Sequence, residues 1–332
     1  MTRVPVGNDG TVSATDVVAA IRPEGTTALI TLMFANNETG AIQPVREVSI
    51  MLADSANPYR GSSGVLIHTD AAQAVGKVSV SIDDYDGGGI GPVDMVTIVG
   101  HKFGAPKGVA ALYVRPGCVD DDSIGGRSIG YPYGSSGMVL VGGGQERGKR
   151  AGTENVASIA AMGRAAELLM ERREGTGDGN IDDDCNDRIW KRAWEVDAKR
   201  YAMLRDRLLL SLTEGLGKGS ALCVHGPVDP QRRLPNTLYV GLRNIHGPSL
   251  LRSIEGRVAC SAGSACHSSS GPGTGTGEVS YSSVLKAMNV PKEFAIGTLR
   301  LSCGRDSTAD EIDRAAAIIL EEVKKQIEEE TL

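Results

Sequence analysis

Brief apolar runs rich in β-branched residues alternate with helical patterns through the first half of the chain. TTALITLMF (26–34), GVLIHTD (64–70), VDMVTIVG (93–100) and VAALYVR (109–115) are short and bounded by turn-forming residues, which predicts strands. Between the first two, PVREVSIMLADSA (44–56) predicts a helix opened by Pro44. Near-continuous apolar strands joined by crossovers predict an α/β fold with a mostly parallel sheet covered on both faces. Ligands of such sheets sit beyond the carboxyl ends of the strands. The polar residues just past those ends are therefore the first candidates for chemistry: Asn36, Asn37, Asp70, Gln73, His101 and Lys102.

From residue 155 the texture changes. Residues 155–174 and 187–212 predict long helices, separated by the acidic, glycine-rich GTGDGNIDDDCN. Strands are expected at LPNTLYVGL (234–242), RVACSAG (257–263) and TLRLSCG (298–304), with shorter helices between them. A final amphipathic helix starts at Thr308, where Thr308 and Glu311 have the spacing of a capping box. The expected organisation is a large domain over residues 1–172 and a smaller α+β domain over 173–332, with a glycine-rich loop at 264–280.

Composition narrows the function. A chain of 332 residues with 41% apolar and 23% charged residues can bury a sizeable core. A net charge of −6 supplies no basic surplus to neutralise phosphates, so a nucleic-acid partner is not expected. No segment approaches the roughly 18 apolar residues that span a bilayer, so no membrane partner is expected. No targeting segment is visible, and six cysteines without a C-x-x-C pair argue for reduced thiols in the cytoplasm and against a zinc site.

Taken singly, the strand-end residues have ordinary explanations. Asp70 suits a helix N-cap for AAQAVG, Gln73 a helix surface and Asn37 a turn. Lys102 could extend its stem to water, and His101 could be a satisfied polar neighbour. Cys260, Cys303, His68 and His225 read as core or satisfied residues. GGGIGP (87–92) precedes a strand instead of following one, so it is a turn and not a dinucleotide loop. Taken together, a lysine and an acid on different strand ends fit pyridoxal 5'-phosphate (PLP), which needs an amine for a Schiff base and a carboxylate for its ring nitrogen.

Seven segments in order carry a resemblance: FANNETG (34–40), HTDAAQAVGK (68–77), VGHKFGAPKG (99–108), GGGQERGKRAGTEN (142–155), RLPNT (233–237), SAGSACHS (261–268) and TLRLSCGR (298–305). The chain resembles the class V, NifS-like family of PLP enzymes, the cysteine desulfurases and selenocysteine lyases. The resemblance implies PLP-dependent transferase fold type I. It implies that Lys102 carries the cofactor as a Schiff base, that His101 reaches its phosphate, that Asp70 pairs with the ring nitrogen and that Gln73 donates to the phenolic oxygen. Asn37 would sit beside ring and substrate, and Arg300 would clamp the substrate carboxylate. Thr153 would bind the phosphate of a partner subunit's cofactor, implying a homodimer. Cys266, followed by His267, would be the catalytic cysteine.

Two departures from the family pattern refine this expectation. Val99 stands where desulfurases usually carry a serine or threonine, and together with GGGQER and SACHS it resembles animal-type selenocysteine lyases. The expected reaction is therefore L-selenocysteine to L-alanine and reduced selenium. L-cysteine desulfuration through a Cys266 persulfide is the alternative, with a selenium or sulfur acceptor protein as a further partner. A non-catalytic dimerising fragment is the alternative of another class. Family members also carry an upstream segment with a ring-stacking histidine. Here MTRVPVGNDG resembles a mid-domain strand, and no histidine precedes Asn36, so the large domain is expected to lack its N-terminal part.

Overall fold

The structure is a computed structural model that describes residues 1–22, 27–53, 65–82, 89–116, 142–143, 145–148, 150–174, 190–217, 221–262 and 281–331. The chain divides into two compact units, each built from separate stretches of sequence. One comprises Ala14–Phe34 and Val45–Ala193, the other Met1–Ser13, Ala35–Pro44 and Trp194–Leu332.

The first is a parallel-sheet unit. Its sheet contains β1 (Leu29–Met33), β2 (Leu66–Asp70), β3 (Met95–Val99) and β4 (Ala110–Val114), in that order. β1, β2 and β3 run parallel, with Met33 opposite Asp70 and Asp70 opposite Thr97, while β4 returns antiparallel to β3. Helices α1 (Ala14–Ala19) and α2 (Val45–Ala53) belong to the same unit. α2 turns Val45, Val48 and Leu52 inward at helical spacing. α3 (Val156–Met170) begins at Asn155, whose side chain caps it by accepting from the Ser158 amide at 3.1 Å. Its Ala165 packs with Ala105, Val109, Phe103 and Met162. A Cβ on Gly76 would meet Leu169 at 3.0 Å, so the chain after β2 also lies close against α3.

Coverage of both sheet faces is incomplete at the edges. β1 and β4 leave Leu29, Met33, Leu112 and Val114 exposed, whereas Leu66, Ile67 and Val96 on the two inner strands are buried. The expected helix over 155–174 stops at Met170, and Arg172–Glu174 forms β5, paired with β6 (Trp190–Arg192) where helix was expected. AAQAVG is a run of turns and not a helix. MTRVPVGNDG forms no strand.

The second unit is built on an antiparallel sheet of β7 (Leu222–Val224), β8 (Thr237–Leu242) and β9 (Thr298–Ser302), in that order. β8 is buried on both faces. Leu238, Val240 and Leu242 share one core with Leu204, Leu208 and Leu212 of α4 (Ala193–Gly215) and Ile312, Ile319 and Val323 of α8 (Ala309–Thr331). Each buried leucine or isoleucine stabilises the fold by about 1.5–3 kcal/mol. The other face carries Tyr239, packed with Leu285 and Ala295 from α6 (Ser283–Ala287) and α7 (Lys292–Ala295). α5 (Gly247–Ser253) buries Leu250 in the main core.

The capping box at α8 forms as expected. The Thr308 amide donates to the Glu311 carboxylate at 2.9 Å, and the Glu311 amide donates to the Thr308 hydroxyl at 3.3 Å. Residues 257–262, expected to be a strand, make only a single bridge between Ser261 and Arg300. The 264–280 loop and the 175–186 insert lie outside the described residues.

Candidate cofactor and substrate site

Two adjacent parallel strands end in polar residues. Asp70 is the last residue of β2, and the amide after it, Ala71, donates to the Thr97 carbonyl of β3 at 3.0 Å. The Asp70 carboxylate is exposed and accepts the Ala72 amide at 2.8 Å, which begins a turn instead of a helix. Gln73, half-buried, sits in the turns that follow. Behind Asp70 on the same strand, the His68 ring bonds Thr31 of β1 at 2.8 Å and Thr97 of β3 at 2.9 Å. Burial lowers the pKa of His68, and the nearby Asp70 charge opposes that shift.

β3 ends at Val99 and passes into a single 3-10 turn, Gly100–Lys102. Gly100 is buried, and its amide donates to the Val109 carbonyl at 3.0 Å. Added there, a Cβ would lie 3.0 Å from both the Ala105 and Val109 side chains, so this tight turn has no room for one. His101 and Lys102 are thereby presented to solvent. The Lys77 ammonium donates to the Lys102 carbonyl at 3.2 Å. Burial, helped by the Lys102 charge, lowers the Lys77 pKa to about 8. Among the described residues no carboxylate pairs with the Lys102 amine and no cation pairs with Asp70. Thr153 is exposed, one residue past Gly152, whose φ of 100° only glycine adopts readily.

Asn37 and Arg300 belong to the antiparallel-sheet unit. Arg300, half-buried on β9, donates Nη1 to the Asn37 carbonyl at 2.8 Å. Among the described residues no carboxylate pairs with this guanidinium, so it keeps donors for an incoming anion. Its cross-strand neighbour on β8 is Tyr239. The Tyr239 hydroxyl donates to the carboxylate of Glu38 at 2.9 Å, and the Ser282 hydroxyl donates to the same oxygen at 2.5 Å. Glu38 is 2% exposed. Burial and the Glu38 charge push the Tyr239 pKa far up, which keeps the phenol a neutral donor. The NNETG pattern points to Asn37 and gives no sign of Glu38 beside it. An acid within a turn gives no signal of burial; only the partners on β8 and before α6 reveal it.

Cys266 lies outside the described residues. Burial raises the pKa of Cys260 and Cys303 to about 11, which leaves both as inert thiols and agrees with their expected place in the core. Among the described residues there is no cluster of three metal-ligating side chains.

The aminotransferase class-V family matches residues 1–176, just over half of the chain. The chain belongs to the class-V aminotransferase family. It is 37% identical to the selenocysteine lyase of Bos taurus over 332 residues, covering 98% of this chain and 63% of that protein. It is 32% identical to the cysteine desulfurase IscS of Clostridium botulinum over 329 residues, covering 99% of this chain and 67% of that protein. The chain thus spans about two thirds of the length of the curated relatives it matches. A solved structure titled NifS-like protein superposes with a TM-score of 0.66 at 26% identity, over 97% of this chain and 68% of its own. These likenesses establish the α/β, type I fold expected from the sequence.

Class-V aminotransferases and their NifS-like members are PLP-dependent. The residues at the ends of β2 and β3 suit that cofactor: an exposed carboxylate for the ring nitrogen and an exposed amine for the aldehyde, neither in an ion pair among the described residues. His101 beside the amine and Gln73 in the turn after Asp70 add hydrogen-bonding groups on the same two connections.

Proposed function

We propose that this chain is a PLP-dependent enzyme that cleaves the carbon–selenium bond of L-selenocysteine and yields L-alanine. The C–Se bond breaks, the freed carbon takes a proton to become a methyl group, and selenium leaves at the zero oxidation state for a thiol to reduce. The supporting observation is an exposed acid and an exposed amine just past neighbouring parallel strand ends, neither of them in an ion pair among the described residues. When bound, the cofactor supplies an electron sink for the carbon attached to the substrate amine.

The protein's own groups do the rest. Asp70 would hold the ring nitrogen in its protonated state, and Gln73 and His101 would orient the ring and phosphate. Lys102 would hold the cofactor and move the proton at the substrate carbon. Arg300, with spare guanidinium donors, clamps the substrate carboxylate beside Asn37, work suited to a planar fork. The Cys266 thiolate takes the departing selenium as a sulfur–selenium bond while the carbon keeps the electron pair of the broken C–Se bond. A homodimer completes the phosphate site through Thr153 of the partner subunit, and a cytoplasmic location keeps the thiols reduced.

A second reading has its own support, since cysteine desulfurases match this chain nearly as well as the selenocysteine lyase does. In that reading L-cysteine gives L-alanine, and Cys266 takes the sulfur as a persulfide. Selenols ionise more readily than thiols, so protonation state can separate the substrates. Side-by-side turnover of the two amino acids decides: faster alanine release from L-selenocysteine is expected, and equal rates would remove the lyase preference. Absence of any visible band on titration with PLP would instead favour a non-catalytic dimerising fragment.

A further inference from the structure

The β8–β9 pair grips two consecutive residues of one turn. Tyr239 and Arg300 are cross-strand neighbours, and they reach Glu38 and Asn37 respectively. Glu38 is fully within the unit, where two hydroxyls, one from β8 and one from the residue before α6, donate to a single carboxylate oxygen. Below it the turn is stiff, because the amides of Glu38 and Thr39 both donate to the Asn36 side chain at 2.9 Å. A buried carboxyl group is costly unless its hydrogen bonds are made, and among the described residues this one is held by two hydroxyl donors and no cation.

We propose that Glu38 is a positioning residue: by anchoring the turn to Tyr239 and Ser282 it fixes the Asn37 carbonyl, and through that carbonyl it aims the Arg300 guanidinium at the carboxylate of an α-amino acid. The inference rests on the reading of Arg300 as the substrate-carboxylate clamp. It assigns Glu38 no contact with substrate. Without the anchor, Asn37 can drift, and the guanidinium that donates to its carbonyl loses its direction. Displacement of about 1 Å is enough to cost a large share of such a contact.

The test compares L-cysteine with cysteamine, which differs only in lacking the carboxylate, as ligands of the PLP-loaded chain, with binding read from the absorbance change. Arg300→Gln is expected to weaken L-cysteine at least tenfold and to leave cysteamine unchanged. Glu38→Gln is expected to show the same selective loss, about tenfold, and Tyr239→Phe about threefold. If Arg300→Gln weakens both ligands equally, or neither, the clamp reading fails and the inference with it. If Arg300→Gln discriminates while Glu38→Gln binds both ligands as the unsubstituted chain does, the inference alone is overturned. Should Glu38→Gln not fold, Tyr239→Phe decides by the same criterion, and an unchanged L-cysteine affinity there overturns the proposal.

Discussion

At the scale of single residues, burial sets the chemistry that each group can perform. Lys102 and Asp70 stand in solvent at strand ends, whereas His225 is 2% exposed, edge-on to Tyr239, with Nε2 bonded to the Thr298 hydroxyl at 3.2 Å. Burial lowers the His225 pKa to about 4, so the ring stays neutral in the folded state. The unfolded chain takes up that proton near pH 6.5, so the stability His225 allows is complete above pH 6.5. It is lost as pH falls towards 4, by roughly 3 kcal/mol. Urea unfolding at pH 7 and pH 4.5 should show a loss in the unsubstituted chain that His225→Gln reduces by about 2 kcal/mol; equal losses would contradict the assignment. Such residues were only partly legible. Lys102 announced itself as a lysine closing an apolar run, but nothing around Glu38 or His225 in sequence reveals the partners that three-dimensional packing brings to them.

Elements were legible where pattern and length agreed. The four strands of the mostly parallel sheet fall inside their predicted runs, and α8 starts at its capping box, because both signals are local. Elsewhere tertiary pairing overrides local preference. Trp190–Arg192 leaves a helical pattern to pair with Arg172–Glu174, and residues 257–262 find only one rung for an apolar run. AAQAVG had the composition of a helix, yet the Asp70 side chain took the Ala72 amide and opened turns. The element that matters most is the turn holding Lys102. With Ala105 and Val109 packed against Gly100, the substitution Gly100→Ala should cost about 1–3 kcal/mol by overpacking. It should also lower PLP affinity at least tenfold, measured by equilibrium titration. Unchanged affinity would show that the turn does not set the position of Lys102.

On the scale of the whole molecule, sequence continuity is a poor guide to organisation. Residues 1–13 and 35–44, read as part of a large front domain, share a compact unit with residues 194–332. Short apolar runs cannot signal this, since the partners of the NNETG turn lie some two hundred residues away. The consequence is that the two candidate groups of residues fall in different units: Asp70, Gln73, His101, Lys102 and Thr153 in one, Asn37 and Arg300 in the other. The cofactor would be held by the first group. Its attachment to Lys102 is tested by incubating the chain with PLP, reducing with borohydride and mapping the peptides by mass spectrometry. A single phosphopyridoxyl group on Lys102, lost in Lys102→Ala, is the predicted result. Labelling of Lys77 or scattered surface lysines in place of Lys102, or no labelling at all, would contradict it.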